Sequence, residues 1–177
     1  MNRKEFVASA LSLGCFGCGS ALALAAEPTG ESKETAALKS RIDFMQKRMA
    51  RLVRALDPTT RSVVLETMGR ECAKEFGHLI DRFRGKPAEF LEEARRQWME
   101  SATYDAASGT VRVVDRSPTC TCAFVQAGIT PGEFCECTLG WQKEAYTAIL
   151  GEPVDVELES SVLRGGQRCA FSVRCRR

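Results

Sequence analysis

The chain divides into a helix-forming half and a strand-forming half, judged from the spacing of its apolar residues. From Lys33 onward the apolar residues recur every three or four positions, which predicts helices. Beyond Tyr104 the spacing falls to two, as in Val111 and Val113, which predicts strands. The pattern therefore predicts an α+β fold, with N-terminal helices packed on a C-terminal, mostly antiparallel sheet that has one inserted helix.

The first predicted helix carries one continuous apolar stripe and otherwise basic faces. The stripe comprises Leu38, Ile42, Met45, Met49, Leu52 and Leu56. It is short for a coiled coil, so we expect it to pack on the protein's own core, with a homodimer as the alternative. The basic face is interpreted as solvated, and contact with an acidic partner or anionic lipid is its alternative.

Two further helices are predicted before the sheet. The second, over about residues 61–76, would bury Val64, Met68, Cys72 and Phe76, so Cys72 is interpreted as a core residue. The third, over about residues 88–100, would bury Phe90, Leu91, Ala94 and Trp98.

The strand-forming half contains a predicted strand at 110–116 and a closing hairpin. In the hairpin, Val154, Val156 and Leu158 alternate with acidic residues, and Cys169, Phe171 and Val173 alternate with polar or basic ones. We expect the acidic and basic outer faces to pair across the sheet. The inserted helix would bury Trp141, Ala145 and Ile149 and end at Gly151.

Two Cys-x-Cys motifs in this half are the main chemical signal. Residues two apart on a strand share a face, so Cys120 with Cys122, and Cys135 with Cys137, would each project two thiols from one side. A turn at Pro131 that pairs the two segments would gather four thiols. Such a cluster suits a zinc ion, two disulfides or redox-active thiols, and the sequence does not choose among them.

The N-terminal residues resemble an export signal. A short basic start precedes an apolar run from Phe6 to Ala26, which is typical of a secretory signal peptide, and Arg3-Lys4 resembles a twin-arginine motif. We expect an exported protein, periplasmic or extracellular, with membrane anchoring by an uncleaved leader as the alternative. Seven of the nine cysteines lie beyond this leader, so complete internal disulfide pairing is excluded.

The predicted organisation is a signal peptide at 1–26, a linker at 27–32 and a single domain at 33–177. Within that domain, residues 33–103 form the helical part and residues 104–177 the sheet part. The net charge of +2 calls for no nucleic-acid partner. No membrane span is expected after leader removal.

Four segments of the C-terminal half carry a family resemblance. They are Cys120-Thr-Cys122, Phe134-Cys-Glu-Cys137-Thr-Leu-Gly-Trp141-Gln-Lys143, Gly151-Glu-Pro-Val154-Asp-Val-Glu157 and Leu163-Arg-Gly-Gly166-Gln-Arg-Cys169-Ala-Phe171. This half resembles the 4-vinyl reductase domains and bacterial proteins related to the L-2-amino-thiazoline-4-carboxylic acid hydrolases. The resemblance implies an α+β domain that encloses a small organic molecule between its helices and its sheet.

The resemblance also implies a structural zinc held by cysteines and a glutamate near the hairpin. Cys169 matches the terminal cysteine, and Glu157 or Glu159 matches the glutamate. Ser160 and Ser161 stand where a further cysteine is expected. Zinc would therefore draw on Cys120, Cys122, Cys135 and Cys137, with Cys169 nearby.

Three functions follow from these observations. The first is a non-enzymatic domain that binds a small organic ligand in a pocket lined by Phe90, Trp98, Phe124 and Trp141. The second is a hydrolase of a small cyclic amide-like substrate, in which a metal-bound water or a carboxylate such as Glu136 or Glu144 activates the nucleophile. The third is a thiol redox protein. Whether the chain is an enzyme stays open, because it contains no HExxH, GxSxG or phosphate-loop motif.

Overall fold

A computed structural model describes residues 32–176, so the predicted leader lies outside the described residues, as does the predicted linker up to residue 31. The described helices are α1 Lys33–Ala55, α2 Pro58–Glu75, α3 Gly77–Ile80, α4 Pro87–Gln97 and α5 Cys135–Leu150. The strands are β1 Met99–Asp105, β2 Thr110–Asp115, β3 Val154–Ser160 and β4 Ala170–Cys175. The predicted α+β class, with helices first and one helix inserted into an antiparallel sheet, is confirmed.

The four strands form one sheet in the order β1-β2-β4-β3, and every neighbouring pair is antiparallel. Charged side chains cover its outer face. Arg112 on β2 reaches across β4 to Glu159 on β3, at 2.7 Å, and Arg176 pairs with Asp155 at 2.6 Å. The predicted pairing of acidic and basic residues across the sheet is confirmed. These exposed pairs contribute little stability each, but they shield Ser172 on the central strand from solvent.

The inner face of the sheet packs against α4 and α5. The largest side chains that are fully buried there are Tyr146, Phe171, Met99, Ile149, Val111, Val113 and Val173. Removing an aliphatic or aromatic side chain of this size from water stabilises the fold by about 1.5–3 kcal/mol. This core fixes α5 on the sheet, and with it the first turn of α5, where two cysteines lie.

A second, smaller core lies on the other side of α5. Val53 from α1, Leu65 from α2, and Phe134 and Cys137 at the start of α5 form its buried centre. Its partly buried rim is formed by Met49, Met68, Cys122, Phe124, Val125 and Leu163. Two of the predicted site cysteines are therefore part of a packed apolar cluster.

Helices α2 and α5 touch through their backbones. A Cβ atom added at Gly69 would lie 1.8 Å from the carbonyl oxygen of Cys137, and one added at Gly140 would lie 2.0 Å from the carbonyl oxygen of Glu66. Only glycine permits this approach at either position. Ion pairs flank the crossing: Arg61 with Glu136 at 3.6 Å, Glu66 with Lys143 at 2.7 Å and Arg70 with Glu144 at 3.8 Å.

The buried face of α2 differs from the predicted one. Leu65, Gly69 and Ala73 are buried, whereas Cys72 and Phe76 are exposed. The predicted stripe was therefore displaced by one residue, about 100° around the helix. The reason is the close crossing with α5, which selects small residues where the sequence pattern favours large ones. The interpretation of Cys72 as a core residue is wrong.

Two other packing predictions are also wrong. Most of the apolar stripe of α1 does not pack on the core: only its Met49 lies in the rim of the smaller core, and the buried residues of α1 are Ala50 and Val53. Trp98, predicted to lie buried on a helix, is 41% exposed, because α4 ends at Gln97 and the chain turns into β1. Phe90, Leu91 and Ala94 on the same helix are buried as predicted.

We predict that replacing either crossing glycine by alanine destabilises the fold. Gly69→Ala or Gly140→Ala places a methyl group against a carbonyl oxygen, and relieving such overpacking costs about 1–3 kcal/mol. Urea unfolding followed by circular dichroism measures the change. Gly77→Ala is the matched control, because nothing lies within 4 Å of its added Cβ. A loss in the control equal to that in the crossing variants would contradict the assignment.

Candidate functional site

The two Cys-x-Cys motifs do not lie on strands. Cys120 and Cys122 belong to an irregular segment between β2 and the 3-10 turn Gly132–Phe134, and Cys135 and Cys137 form the first turn of α5. The predicted pair of strands is therefore wrong. Helical residues two apart point about 200° apart, so Cys135 and Cys137 face different neighbours.

The segment that carries Cys120 and Cys122 is held in place by α1. The Gln46 Nε2 atom donates to the carbonyl oxygens of Ala123, at 2.7 Å, and Val125, at 3.2 Å. Arg54 donates to the carbonyl oxygen of Ile129 at 2.5 Å, and the Gln126 amide donates to the Asp43 carboxylate at 3.0 Å. Polar side chains of α1 thus add to the few turn hydrogen bonds that this segment forms within itself, such as that from the Val125 N–H to the Cys122 carbonyl oxygen.

The thiols nevertheless gather in one region, and Cys137 is at its centre. Burial, with smaller contributions from the neighbouring thiols of Cys122, Cys72, Cys120 and Cys135, raises the pKa of Cys137 to about 12. Burial likewise raises the pKa of Cys122, and the nearby thiols of Cys72 and Cys135 add to that rise. Three separate parts of the chain, α2, the irregular segment and α5, therefore contribute to one cluster.

Cys135 and Cys169 connect the cluster to the closing hairpin through Ser161. The Cys135 Sγ and Ser161 Oγ atoms are 2.9 Å apart and both side chains are buried; the same hydroxyl accepts the backbone N–H of Leu163 at 3.1 Å. Ser161 also lies near enough to Cys169 to lower the pKa of that thiol slightly. Burial raises the pKa of Cys135 and Cys169, and the Ser161 hydroxyl opposes that rise at both thiols.

The five cysteines predicted for the site each lie near enough to another of the five to affect its pKa, although they are not on paired strands. We define the thiol cluster as these five plus Cys72, that is Cys72, Cys120, Cys122, Cys135, Cys137 and Cys169. Sequence reasoning missed Cys72, because its place on an apolar stripe favoured a core role, and Ser161, because no motif marks it. None of the seven cysteines among residues 32–176 is in a disulfide bond in this structure. Within the same residues, no three His, Cys, Asp or Glu side chains already stand in coordinating positions around a common point.

The four aromatic residues predicted to line a ligand pocket are divided between the two cores. Phe90 meets Trp98 edge to face at 6.2 Å and Tyr146 at 5.7 Å, next to the sheet, and Trp141 packs on the same core. Phe124 belongs to the smaller core beside Cys137.

Apart from Glu136, which forms an ion pair with Arg61, two side chains of α5 have a buried polar atom with no hydrogen-bond partner within the described part of the chain. These atoms are the Gln142 Oε1 atom and the Tyr146 hydroxyl, which lie one helical turn apart on the same face. Tyr146 is fully buried, and burial raises its pKa, as does the nearby Asp115 carboxylate. Burial also raises the pKa of Asp115. Buried polar groups are nearly always satisfied, so this pair indicates a place for a water molecule or a ligand group.

A groove of about 310 Å³ adjoins the thiol cluster at the turn of the closing hairpin. Ser160, Ser161, Arg164 and the Gly165-Gly166 turn form most of its wall. Ser161 therefore faces the groove on one side and Cys135 on the other. A second groove, of about 410 Å³, lies on the outer side of the sheet near Tyr104 and Arg174.

The carboxylates named for the hydrolase hypothesis face α2. Glu136 pairs with Arg61 and Glu144 with Arg70, at the crossing of α2 and α5. His78, the single histidine of the chain, is exposed on α3. In this structure these residues contribute to the helix crossing and to the surface.

Comparison with known proteins identifies the fold. No family model and no curated protein matches the chain. A trafficking protein particle complex subunit 3 from Naegleria fowleri, solved covalently bound to palmitic acid, is similar over 80% of this chain and 94% of its own, with 15% identity and a TM-score of 0.50. The phenol-responsive sensory domain of the transcription activator PoxR, solved with phenol, aligns over 79% and 73%, with 16% identity and a TM-score of 0.44. The chain shares its fold with the first.

None of the helices within residues 32–176 is both long enough and apolar enough to cross a bilayer.

We predict a graded reactivity of the thiols toward iodoacetamide at pH 8. Cys72 is exposed and should be modified first, whereas Cys135 and Cys137 are buried and have raised pKa values, so few of them are ionised. Mass spectrometry of peptides after timed labelling measures the order, with labelling in urea as the control for intrinsic reactivity. Equal rates for Cys72 and Cys137 in the folded protein would contradict the described burial.

Proposed function

We propose that this protein is an exported, non-enzymatic binding module whose thiol cluster holds a zinc ion and whose interior holds a small organic ligand. The observation that carries the proposal is the convergence of thiols from separate parts of the chain. Cys122 packs on the buried cluster that contains Cys137, and the Cys135 thiol is 2.9 Å from the Ser161 hydroxyl on the closing hairpin. Cys72 on α2, Cys120 on the irregular segment and Cys169 just before β4 each raise the pKa of a neighbouring thiol.

The donor set fits zinc. Thiolates are its usual ligands in structural sites, and four of them complete a tetrahedral shell. Cys72, Cys122 and Cys137 are mutual neighbours, and Cys120 is the fourth thiol next to both Cys122 and Cys137. The cluster contains more thiols than one ion needs, so we assign these four as ligands. Cys135 and Cys169 are not ligands in this assignment and stay next to Ser161. Coordination requires the four side chains to rotate toward a common point.

Such a site would stabilise the part of the fold that has least support of its own. The irregular segment is held mainly by side chains of α1, and α2 meets α5 through a close glycine contact. A bound ion would link α2, this segment and α5 directly. Binding to the folded state only would add to the free energy of unfolding by mass action.

The ligand would lie inside the domain, near the unpaired polar atoms of α5. Gln142 and Tyr146 offer an acceptor and a donor in an otherwise apolar interior, beside Phe90 and Phe171. A mainly apolar molecule with one polar end suits this arrangement. The trafficking subunit that shares the fold is described as bound to palmitic acid, so alkanoic acids are the first ligands to test.

We predict stoichiometric zinc binding by the reduced protein. Elemental analysis after incubation with zinc should give one ion per chain, and Co²⁺ substitution should give thiolate charge-transfer absorption. Cys122→Ser and Cys137→Ser should each abolish the absorption and lower the melting temperature of the zinc-loaded protein. Cys72→Ser should weaken zinc binding, which distinguishes a ligand from a bystander.

Cys175→Ser is the matched control, since Cys175 lies at the far end of β4 near Gly109, away from the thiol cluster. It should retain zinc. Two results would contradict the metal site: no zinc bound to the reduced wild-type protein, and complete disulfide formation among the six clustered cysteines in protein purified without reductant. The cluster would then stabilise the fold through disulfide bonds.

We predict opposite effects of Tyr146→Phe on stability and on ligand binding. Removing an unsatisfied buried hydroxyl should stabilise the ligand-free protein by about 1–3 kcal/mol. The same change should reduce the rise in melting temperature that decanoic or palmitic acid produces in the wild type. Tyr104→Phe, at an exposed tyrosine on β1, is the control and should change neither quantity. A destabilised Tyr146→Phe protein would show that the hydroxyl has a permanent partner.

A further inference from the structure

Helix α1 exposes most of its apolar stripe. Leu38 is 57% exposed, Ile42 43%, Met45 57% and Leu52 47%. These side chains recur at helical spacing along one face of a helix of 23 residues, where Met49 between Met45 and Leu52 is partly buried on the smaller core. Four large apolar side chains on one face, each about half exposed, are more than the isolated examples that ordinary surfaces carry.

The exposure follows from which side of α1 contacts the domain. The helix docks through Asp43, Gln46, Ala50, Val53 and Arg54, which bind or pack against the irregular segment and the smaller core. Counted at 100° per residue, this contact face is centred about 100° from the stripe. The domain therefore holds α1 by one side and leaves the apolar side open.

The helix is also the most basic of the described helices. Residues 32–55 contain seven basic residues and two acidic ones, a net charge of +5, although the whole chain carries only +2. Arg41 and Arg48 border the exposed stripe on the side away from the domain. Long basic side chains in this position can extend toward anionic groups while the apolar strip between them is buried.

We propose that α1 docks on an anionic lipid bilayer, lying in the plane of the interface with Leu38, Ile42, Met45 and Leu52 inserted among the lipid headgroups. An amphipathic helix with an apolar strip and a basic border has the composition of such interfacial helices. The charge of α1 attracts anionic lipid, and the docking of its opposite side on the domain keeps the strip directed outward.

A second copy of the chain fits the same face less well. In an antiparallel pair of α1 helices, Arg41 and Arg48 would face the same arginines of the other copy. In a parallel pair they would face Gln46 and Val53, which α1 already uses to contact its own domain. Repulsion between arginines opposes an antiparallel pair, and the contacts of Gln46 and Val53 with the domain oppose a parallel pair. An anionic surface, in contrast, attracts Arg41 and Arg48.

Vesicle co-sedimentation of the full chain tests the proposal. We expect binding to vesicles that contain phosphatidylglycerol, and a decrease in that binding as salt is raised. Arg41→Gln with Arg48→Gln should weaken it about 30-fold, at about 1 kcal/mol per charge. Leu38→Ser with Met45→Ser should weaken it about tenfold or more. Val63→Ser, at an exposed valine on α2, is the control and should bind as the wild type does.

All variants retain the N-terminal residues, so ratios among them report on α1. A tryptophan substitution, Met45→Trp, gives a direct readout: its fluorescence should be quenched by brominated anionic lipids beyond the quenching of the wild-type tryptophans. Equal binding of all variants, or no additional quenching, would overturn the proposal. So would a dimer in sedimentation equilibrium that Ile42→Glu dissociates while vesicle binding is unchanged, because the stripe would then be covered by a second copy.

Discussion

The backbone contact between α2 and α5 is the constraint on which the rest of the arrangement depends. Gly69 lies against the carbonyl oxygen of Cys137, the residue whose thiol is at the centre of the cluster. Cys72, one turn after Gly69, therefore comes near Cys122 and Cys137 although it is exposed. A larger residue at the crossing would separate the helices and carry the two sets of thiols apart. Packing and site geometry have the same cause.

The sheet reaches the cluster through one buried hydroxyl. The register between β3 and β4 shifts between Leu158 and Ser160, and the chain then turns inward at Ser161. A bulge of this kind redirects the side chains that follow it. Ser161 consequently meets Cys135 on α5 and Cys169 ahead of β4, so the hairpin that closes the sheet also fixes one side of the thiol cluster.

Alternation and helical spacing were sufficient to predict the fold class and the closing hairpin, because residues such as Val111, Val173 and Ile149 are buried by the layers to which their pattern assigns them. The same reasoning failed at Gly69 and Ala73, where close helix packing requires small residues that no hydrophobic pattern reveals. It also failed at Cys135 and Cys137. A two-residue repeat is too short to show strand rather than helix, and the periodicity of Trp141, Ala145 and Ile149 extends back to these cysteines.

Helix α1 shows why an apolar stripe alone does not identify a buried face. The irregular segment after β2 leaves backbone carbonyls at Ala123, Val125 and Ile129 that need donors, and Gln46 and Arg54 supply them. These hydrogen bonds, together with the burial of Ala50 and Val53, position α1 by that side. The apolar stripe is then left on the outside. The site and the exposed helix face are thus consequences of one requirement, the hydrogen bonding of the segment that carries Cys120 and Cys122.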